Sequence, residues 1–267
     1  MKKLQFLLLS TTLTCSVASF AQIKECQKTG LEIMQEMEKS QSTNFEYELQ
    51  ELTLQDLKTK SEEKRQMQRF SRDQENQKRT LISFMAPVDI RGTALLNWEN
   101  ESREDDQWLY LPALKRTQRI ASSGKKNYFL GTDFTFADLE SESLAEYNYT
   151  CESIFKCGRN ECYKIIALPK TPQIQTKTDY SKRIFTIRQD NLTNLRIEFY
   201  DNREQLLKTL NNSNWKQHGS VWRPDKSVMT RHDIHETTIN VGERKIGEPI
   251  DDVTFTERFL LNGMHLR

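Results

Sequence analysis

The feature that most constrains the fold is a change of hydrophobic period after the first 40 residues. Between Glu25 and Ser40, the apolar residues Leu31, Met34 and Met37 recur at helical spacing, which predicts one amphipathic helix. From Phe45 onward, apolar and polar residues alternate, which is the period of a β-strand. This alternation returns between short polar turns through most of the remaining chain. One helix followed by many short strands predicts a single curved antiparallel sheet.

The first predicted strand changes phase along its length. Phe45 and Tyr47 occupy odd positions, whereas Leu52 and Leu54 occupy even ones. We expect a β-bulge at Glu51 to account for the shift, because one extra residue exchanges the two faces of a strand.

Residues 112–139 interrupt the strand pattern. About 28 residues without a clear strand are long for a plain connection, and such segments are commonly lids or binding loops. The alternative is a segment that folds back and plugs one end of the sheet. Both interpretations place Phe129, Phe134 and Phe136, which lie around Gly131, inside the protein.

The N-terminus has the pattern of an export signal. Lys2 and Lys3 precede an apolar run from Leu4 to Val17, and Ser19-Phe20-Ala21 offers small residues at a cleavage site. We expect a cleaved signal peptide at residues 1–21, a single domain at 22–267, and a periplasmic location. Lipidation at Cys15 is the alternative, and the residue before this cysteine is not the small one that lipidation favours.

Charge argues against nucleic acid as a partner. The chain has 39 Lys and Arg residues and 38 Asp and Glu residues, so removing Lys2 and Lys3 with the signal leaves 37 against 38. A net charge near zero provides no field that attracts a polyanion. We expect a monomer without a cofactor.

Four cysteines remain after cleavage, and an even number in an oxidising compartment favours two disulfides. We favour Cys157 with Cys162 across a turn at Gly158–Glu161, which leaves Cys26 with Cys151. A zinc site is the competing interpretation, but the gaps between these cysteines are wider than the short ones typical of zinc knuckles.

No catalytic motif appears in the chain. There is no G-x-S-x-G elbow, and Ser122–Lys126 lacks the first Gly and the final Ser or Thr of a phosphate-binding loop. His232 and His235 lie in a predicted strand from Val221 to His235, where a spacing of three turns them to opposite faces. We therefore expect neither an enzyme nor a metal site.

Five segments of the chain form a pattern that can be compared with known families. They are Pro87 with Arg91–Ala94, Asp106–Ala113, Lys115-Arg116 with Arg119-Ile120, Phe129–Phe134, and Asp138-Leu139. Together they resemble the outer membrane lipoprotein-sorting-related family, the LolA-like periplasmic proteins often associated with transporters of the resistance-nodulation-division (RND) type. The resemblance covers nearly all of residues 22–267. It departs in the four cysteines and in Leu130, where Met is more common.

The resemblance implies an α+β fold, namely an incomplete, strongly curved antiparallel β-barrel whose open side is covered by helices or a lid. It also implies a carrier for a lipid or a lipoprotein acyl chain, working in lipoprotein sorting or with an RND-type inner-membrane transporter. The alternative is a non-carrying adaptor of an envelope complex, which should pack solid and expose an apolar patch.

Aromatic and aliphatic residues of the resembling segments and the first strand are the expected lining of an apolar cavity. They are Phe45, Tyr47, Leu95, Trp108, Tyr110, Phe129, Phe134 and Phe136. Ordinary core packing is the plain alternative for each. Charged residues expected to hold a lid or to face an anionic headgroup are Arg91, Arg116, Arg119 and Asp133, with a solvated rim as their plain alternative.

Overall fold

The computed structural model describes residues 24–74, 77–100, 103–141 and 143–266. The expected signal peptide lies outside the described residues. Within them, one sheet of thirteen antiparallel strands curls without closing into a barrel. The predicted fold class is confirmed.

The strands form two meanders that join in the middle of the sheet. Their spatial order is β6-β5-β4-β3-β2-β1-β13-β12-β11-β10-β9-β8-β7. The bounds are β1 Phe45–Asp56, β2 Glu62–Gln74, β3 Gln77–Ala86, β4 Ala94–Trp98, β5 Asp106–Leu111, β6 Arg116–Arg119, β7 Tyr147–Cys157, β8 Asn160–Pro169, β9 Lys182–Arg188, β10 Asn194–Tyr200, β11 Leu206–His218, β12 Val221–Arg231 and β13 His235–Ile246.

Three α-helices accompany the sheet in the described residues: α1 Gly30–Gln41, α2 Pro172–Thr178 and α3 Glu257–Leu261. The predicted N-terminal helix is present, but it begins at Gly30 because Thr29 caps it. The Thr29 side chain accepts from the Glu32 N–H, and Glu32 bonds back to the Thr29 N–H, which together form a capping box. A side chain at Gly30 would collide with the Tyr149 backbone, so glycine is required where α1 meets β7.

Both predicted disulfides are confirmed. Cys26 is bonded to Cys151, and Cys157 is bonded to Cys162. The first disulfide joins the segment before α1 to the edge strand β7. The second closes the turn between β7 and β8.

Strand β1 has no bulge at Glu51, so that prediction is wrong. Its even positions from Glu46 to Leu54 are buried without interruption, and the extra residue is Gly242 in the partner strand, because Leu49 pairs with Glu243 and Gln50 with Val241. The apolar residues shift from odd to even positions because both faces of β1 are packed: Tyr47 contacts Phe70 on one face, and Leu52 and Leu54 join the core on the other.

The predicted single strand from Val221 to His235 is also two elements. Strand β12 ends at Arg231, where the Ile234 N–H donates to the Arg231 carbonyl in a turn, and β13 begins at His235. His232 lies in the turn and His235 starts a strand. The turn contains neither Gly nor Pro, and Asp233 takes the left-handed conformation at φ 61° instead. The sequence therefore gave no clear signal that the strand ends there.

Residues 120–146, here called the plug, join the two edge strands across the concave face. The Gln107 side chain donates to the Phe136 carbonyl, and the Asn97 side chain donates to the Leu139 carbonyl. Phe129 and Phe136 are buried with Leu95 and Phe84 on the first half of the sheet. On the convex face, Phe255 and the C-terminal residues cover the same strands.

Candidate functional site

A cavity of about 220 Å³ lies on the concave face of the second half of the sheet. Strands β7 and β9–β12 form its floor, the plug forms one wall, and α1 and α2 complete the enclosure. Its apolar lining consists of Met37, Phe134, Ala137, Tyr147, Tyr180, Phe185, Ile197, Phe199, Leu210 and Met229. Its polar lining consists of Asp105, Asp138, Glu140, Ser141, Ser143, Glu146, Lys177, Thr178, Arg183 and Asn194.

Helix α1 forms part of the roof. Ile33 and Met34 are fully buried against Tyr147 and Tyr149, and the next turn directs Met37 to the cavity. At the end of the helix, Gln41 bonds to the Asn191 carbonyl and to the Trp222 N–H. The roof is therefore fixed at the far end by hydrogen bonds and near its start by the Cys26–Cys151 disulfide.

An ion cluster closes the polar side of the cavity. The Lys177 Nζ lies 3.3 Å from Glu140 and 3.4 Å from Glu146, and Lys125 contacts Glu140 as well. Burial raises the pKa of Glu140 above its ordinary value, although Lys177 and Lys125 pull it down. Burial opposes the charge of Lys177, but Glu140 and Glu146 more than offset it and leave the pKa of Lys177 raised. These charges satisfy one another within the wall.

A second polar group fixes the plug to the floor. The Lys208 Nζ donates to the Asp138 carboxylate at 2.6 Å and to the Asp133 carbonyl at 2.8 Å, and the Tyr180 hydroxyl donates to Asp138. Burial lowers the pKa of Lys208, and Asp138 partly counteracts this. Burial, reinforced by Asp138, raises the pKa of Tyr180 well above its ordinary value.

Asp133 has no exposed surface and binds three groups of the sheet. Its carboxylate lies 2.6 Å from Arg231 Nε, 2.7 Å from His235 Nδ1 and 2.7 Å from Thr237 Oγ1. This residue was expected to hold a lid or face a headgroup. The structure places it inside, where it anchors the plug to β12 and β13.

The expected cavity residues lie in three places. Leu95, Phe129 and Phe136 are buried on the concave face of the first half of the sheet, beside the cavity but not lining it. Phe134 lines the cavity. The others lie on the convex face.

The four convex residues are Phe45, Tyr47, Trp108 and Tyr110. Tyr47 packs on Phe70, whose ring centroid is 5.1 Å away, and Tyr110 packs in the cluster that contains Phe255. Strand alternation alone did not show whether these aromatic residues or their neighbours face the cavity. In the structure, the C-terminal segment around Phe255 packs against the face that carries Trp108 and Tyr110. These four residues do not line the cavity.

The remaining expected polar residues also lie away from the cavity. Arg91, Arg116 and Arg119 are exposed, and Arg119 pairs with Asp106 at 2.5 Å. Arg116 and Arg119 are exposed because β6 is an edge strand, and Arg91 lies in the turn between β3 and β4.

Sequence reasoning missed most of the lining, including Phe185, Ile197, Leu210 and Met229. The signal was available as alternation in β9–β12, where each of these residues occupies an inward position. The exact register of these strands was not available, because it shifts twice along β10, between Asn194 and Arg196 and between Phe199 and Tyr200.

Within the described ranges, no group of three or more His, Cys, Asp or Glu residues could hold a metal ion. No helix in the same ranges is both long and apolar enough to cross a membrane.

Comparisons with known proteins identify a matching family model and similar solved structures. A family model described as "-like: Uncharacterized protein" matches residues 76–262. A domain from Vibrio parahaemolyticus, described as an outer membrane lipoprotein-sorting protein domain, is 30% identical with a TM-score of 0.81, and the match covers 87% of this chain and 98% of that one. No curated protein matches the chain.

Two more distant structures show the same fold. A DUF1329 family protein from Desulfovibrio piger is 24% identical with a TM-score of 0.80, and the match covers 86% of this chain and 97% of that one. A LolA superfamily protein from Nitrosomonas europaea is 16% identical with a TM-score of 0.67, and the match covers 87% of this chain and 99% of that one.

Proposed function

The chain belongs to the outer membrane lipoprotein-sorting protein family, and from this premise we propose that it is an exported carrier without catalytic activity. The carrier holds an acyl chain of a lipid or lipoprotein in the cavity between α1, the plug and strands β9–β12. The observation that carries the proposal is the cavity itself, because an adaptor that binds only through its surface needs no internal apolar space.

The physical chemistry of the site suits an acyl chain. Each methylene transferred from water to an apolar site gains about 0.8 kcal/mol, from which the costs of association are subtracted. The floor residues Phe185, Ile197, Leu210 and Met229 supply apolar contact without a reactive group. The polar wall is neutralised by its own ion pairs, so a bound chain leaves no charge of the wall without a partner.

The proposal includes the cellular setting. Cleavage after Ala21 would release residues 22–267 into the periplasm, where the two disulfides can form and persist. An RND-type inner-membrane transporter is the proposed partner for loading or unloading. N-terminal sequencing of the exported protein tests the cleavage site.

A cavity-filling substitution tests the carrier function. Leu210→Trp places a large ring over the floor, and we expect its affinity for a fluorescent fatty acid to fall at least tenfold. Leu206→Trp is the matched control on the same strand, because Leu206 is 40% exposed and away from the cavity. Equal affinity of Leu210→Trp and the control would place the acyl chain elsewhere.

A second candidate function is docking on an envelope partner. Val88 is 86% exposed, and Leu114, Leu261 and Met264 are exposed apolar residues of the same molecule. A Cβ at Gly92 would lie only 3.2 Å from Pro112 and Leu266, so these segments lie close together at one end of the sheet. A protein that binds its transporter partner and fails to bind any acyl probe would favour this function over the carrier.

A further inference from the structure

The longest apolar row on the floor of the cavity runs across four strands. Met229 pairs with Leu210, Leu210 with Ile197, and Ile197 with Phe185, so one residue from each of β12, β11, β10 and β9 joins the row. Residues directly opposite on paired strands share a face. Three strand spacings of ~4.8 Å give the row a length of roughly 14 Å.

Polar residues border this row on one side. Two positions before Leu210 on β11 lies Lys208, and two positions after Met229 on β12 lies Arg231. Lys208 is fully buried and bonded to the plug, and Arg231 binds Asp133. These cations are committed to fixing the plug. In this bordering row Phe199 on β10 adds one apolar residue to the cavity, and it is flanked by Lys208 and Arg183 on the paired strands.

Neutral polar residues border the other side. Asn212 lies two positions after Leu210 on β11, and Ser227 lies two positions before Met229 on β12. The Ser227 hydroxyl donates to Asn212 Oδ1 at 2.8 Å. The Asn212 Nδ2 donates to the Asn194 carbonyl at 2.9 Å, which continues this polar border to β10. On this face of β11, Leu210 is the one residue between Lys208 and Asn212. The four residue steps from Lys208 to Asn212 span roughly 14 Å at ~3.4 Å per residue.

This geometry provides apolar floor for one chain. A second chain beside the first, at the ~4 Å contact distance of non-bonded carbons, would lie partly over a polar border. The volume agrees, since an engineered apolar cavity of ~150 Å³ holds one benzene molecule. A cavity of about 220 Å³ is half as large again and matches part of one acyl chain rather than two.

We infer that the cavity takes one linear acyl chain, lying across β9–β12 over the row Met229-Leu210-Ile197-Phe185, and discriminates against ligands that present two or three chains. This inference rests on the proposed carrier function and specifies its substrate class. The shared chemistry is a single acyl chain, whether it comes from a fatty acid, a lysophospholipid or a singly acylated polypeptide.

Competition binding with matched chains tests the inference. Delipidated protein loaded with dansyl-undecanoic acid is titrated with myristate, myristoyl lysophosphatidylglycerol or dimyristoyl phosphatidylglycerol, each delivered from cyclodextrin. We expect either single-chain ligand to displace the probe at a concentration at least tenfold lower than the two-chain lipid. Displacement by only one of the two single-chain ligands also supports the binding of a single acyl chain, and it shows whether that chain comes from a fatty acid or from a lysophospholipid. Two-chain binding that is as tight as single-chain binding overturns the inference and leaves the carrier function intact. If no ligand and no probe bind, both fail.

A floor-widening variant tests the cause of the preference. Asn212→Leu with Ser227→Ala replaces the neutral border with apolar side chains, and we expect the preference for one chain to fall at least threefold. Asn211→Leu is the matched control, because this neighbouring asparagine points to the opposite face. An unchanged preference in the folded double variant contradicts the role of the border.

Photolabelling of the unaltered protein avoids any dependence on the folding of the variant. A myristate analogue with a diazirine on its chain is bound, irradiated and mapped by peptide mass spectrometry. We expect adducts on neighbouring strands, at Leu210 or Met229 on one side and at Ile197 or Phe185 on the other. Adducts that spread along a single strand, or on the convex face, overturn the proposed orientation.

Discussion

Asp133→Asn should destabilise the protein far more than the same substitution at an exposed ion pair. Asp133 has no exposed surface, and its carboxylate binds Arg231, His235 and Thr237 at 2.6 to 2.7 Å. Asparagine keeps the shape and one acceptor oxygen but removes the charge. Arg231 and the plug then lose their main connection.

The magnitude follows from burial. Breaking one partner of a buried ion pair costs about 3–5 kcal/mol. Because the Arg231 side chain is 23% exposed, water recovers part of the loss, and we expect a value near the lower limit, about 3 kcal/mol. A chain of this size shifts its Tm by about 2–4 °C per kcal/mol, which gives a decrease of roughly 6–12 °C.

Thermal and urea unfolding, followed by circular dichroism with the disulfides intact, measure this effect. The control is Asp190→Asn, which removes a 2.5 Å contact with Arg188 but at a carboxylate that is 52% exposed. An exposed pair contributes about 0–1 kcal/mol, so the control should be close to the unaltered protein. Equal losses in the two variants would refute the argument that Asp133 fixes the plug through a buried charge.

Three further predictions concern other parts of the molecule. Burial raises the pKa of Glu99, so its protonation stabilises the folded state below the unfolded pKa, and this stabilisation is lost as pH rises through the folded pKa. The Glu99→Gln variant should therefore be more stable than the unaltered protein at neutral pH but not in acid. Urea unfolding at both pH values measures the difference. Replacing the Cys26–Cys151 disulfide by serines should lower the free energy of unfolding by about 5 kcal/mol, and replacing Cys157–Cys162 should lower it by about 2 kcal/mol, because the two disulfides close loops of 125 and 5 residues. Equal losses in denaturant unfolding would contradict this loop-entropy argument. Trp108→Phe should leave fatty-acid affinity unchanged, since Trp108 is on the convex face; a tenfold loss in probe binding would place that residue in the site.

The fold was predictable because its signals are local. Alternation beginning at Phe45 indicated strands, and the spacing of Cys157 and Cys162 indicated a hairpin disulfide. The long interruption at residues 112–139 indicated a segment that contacts the interior, and its phenylalanines are buried. Segment resemblance then supplied the curvature and the open barrel, which alternation alone does not determine.

The site was less predictable because it depends on which face of the sheet is concave. Trp108 and Leu109 are adjacent in sequence, yet one packs on the convex side and the other against the concave core. Choosing between them required knowing that the C-terminal Phe255 covers the aromatic face. The row from Met229 to Phe185 likewise depends on strand register, and the irregularities at both ends of β10 shift that register in a way that alternation does not indicate.

Native mass spectrometry of the protein purified gently from a periplasmic extract tests the central claim most directly. Organic extraction and lipid analysis of the same sample identify whatever remains bound. The carrier function predicts a 1:1 complex with an acylated molecule, which the Leu210→Trp variant loses and the Leu206→Trp variant keeps. A protein that is empty and also fails to take up a fluorescent fatty acid would contradict the account.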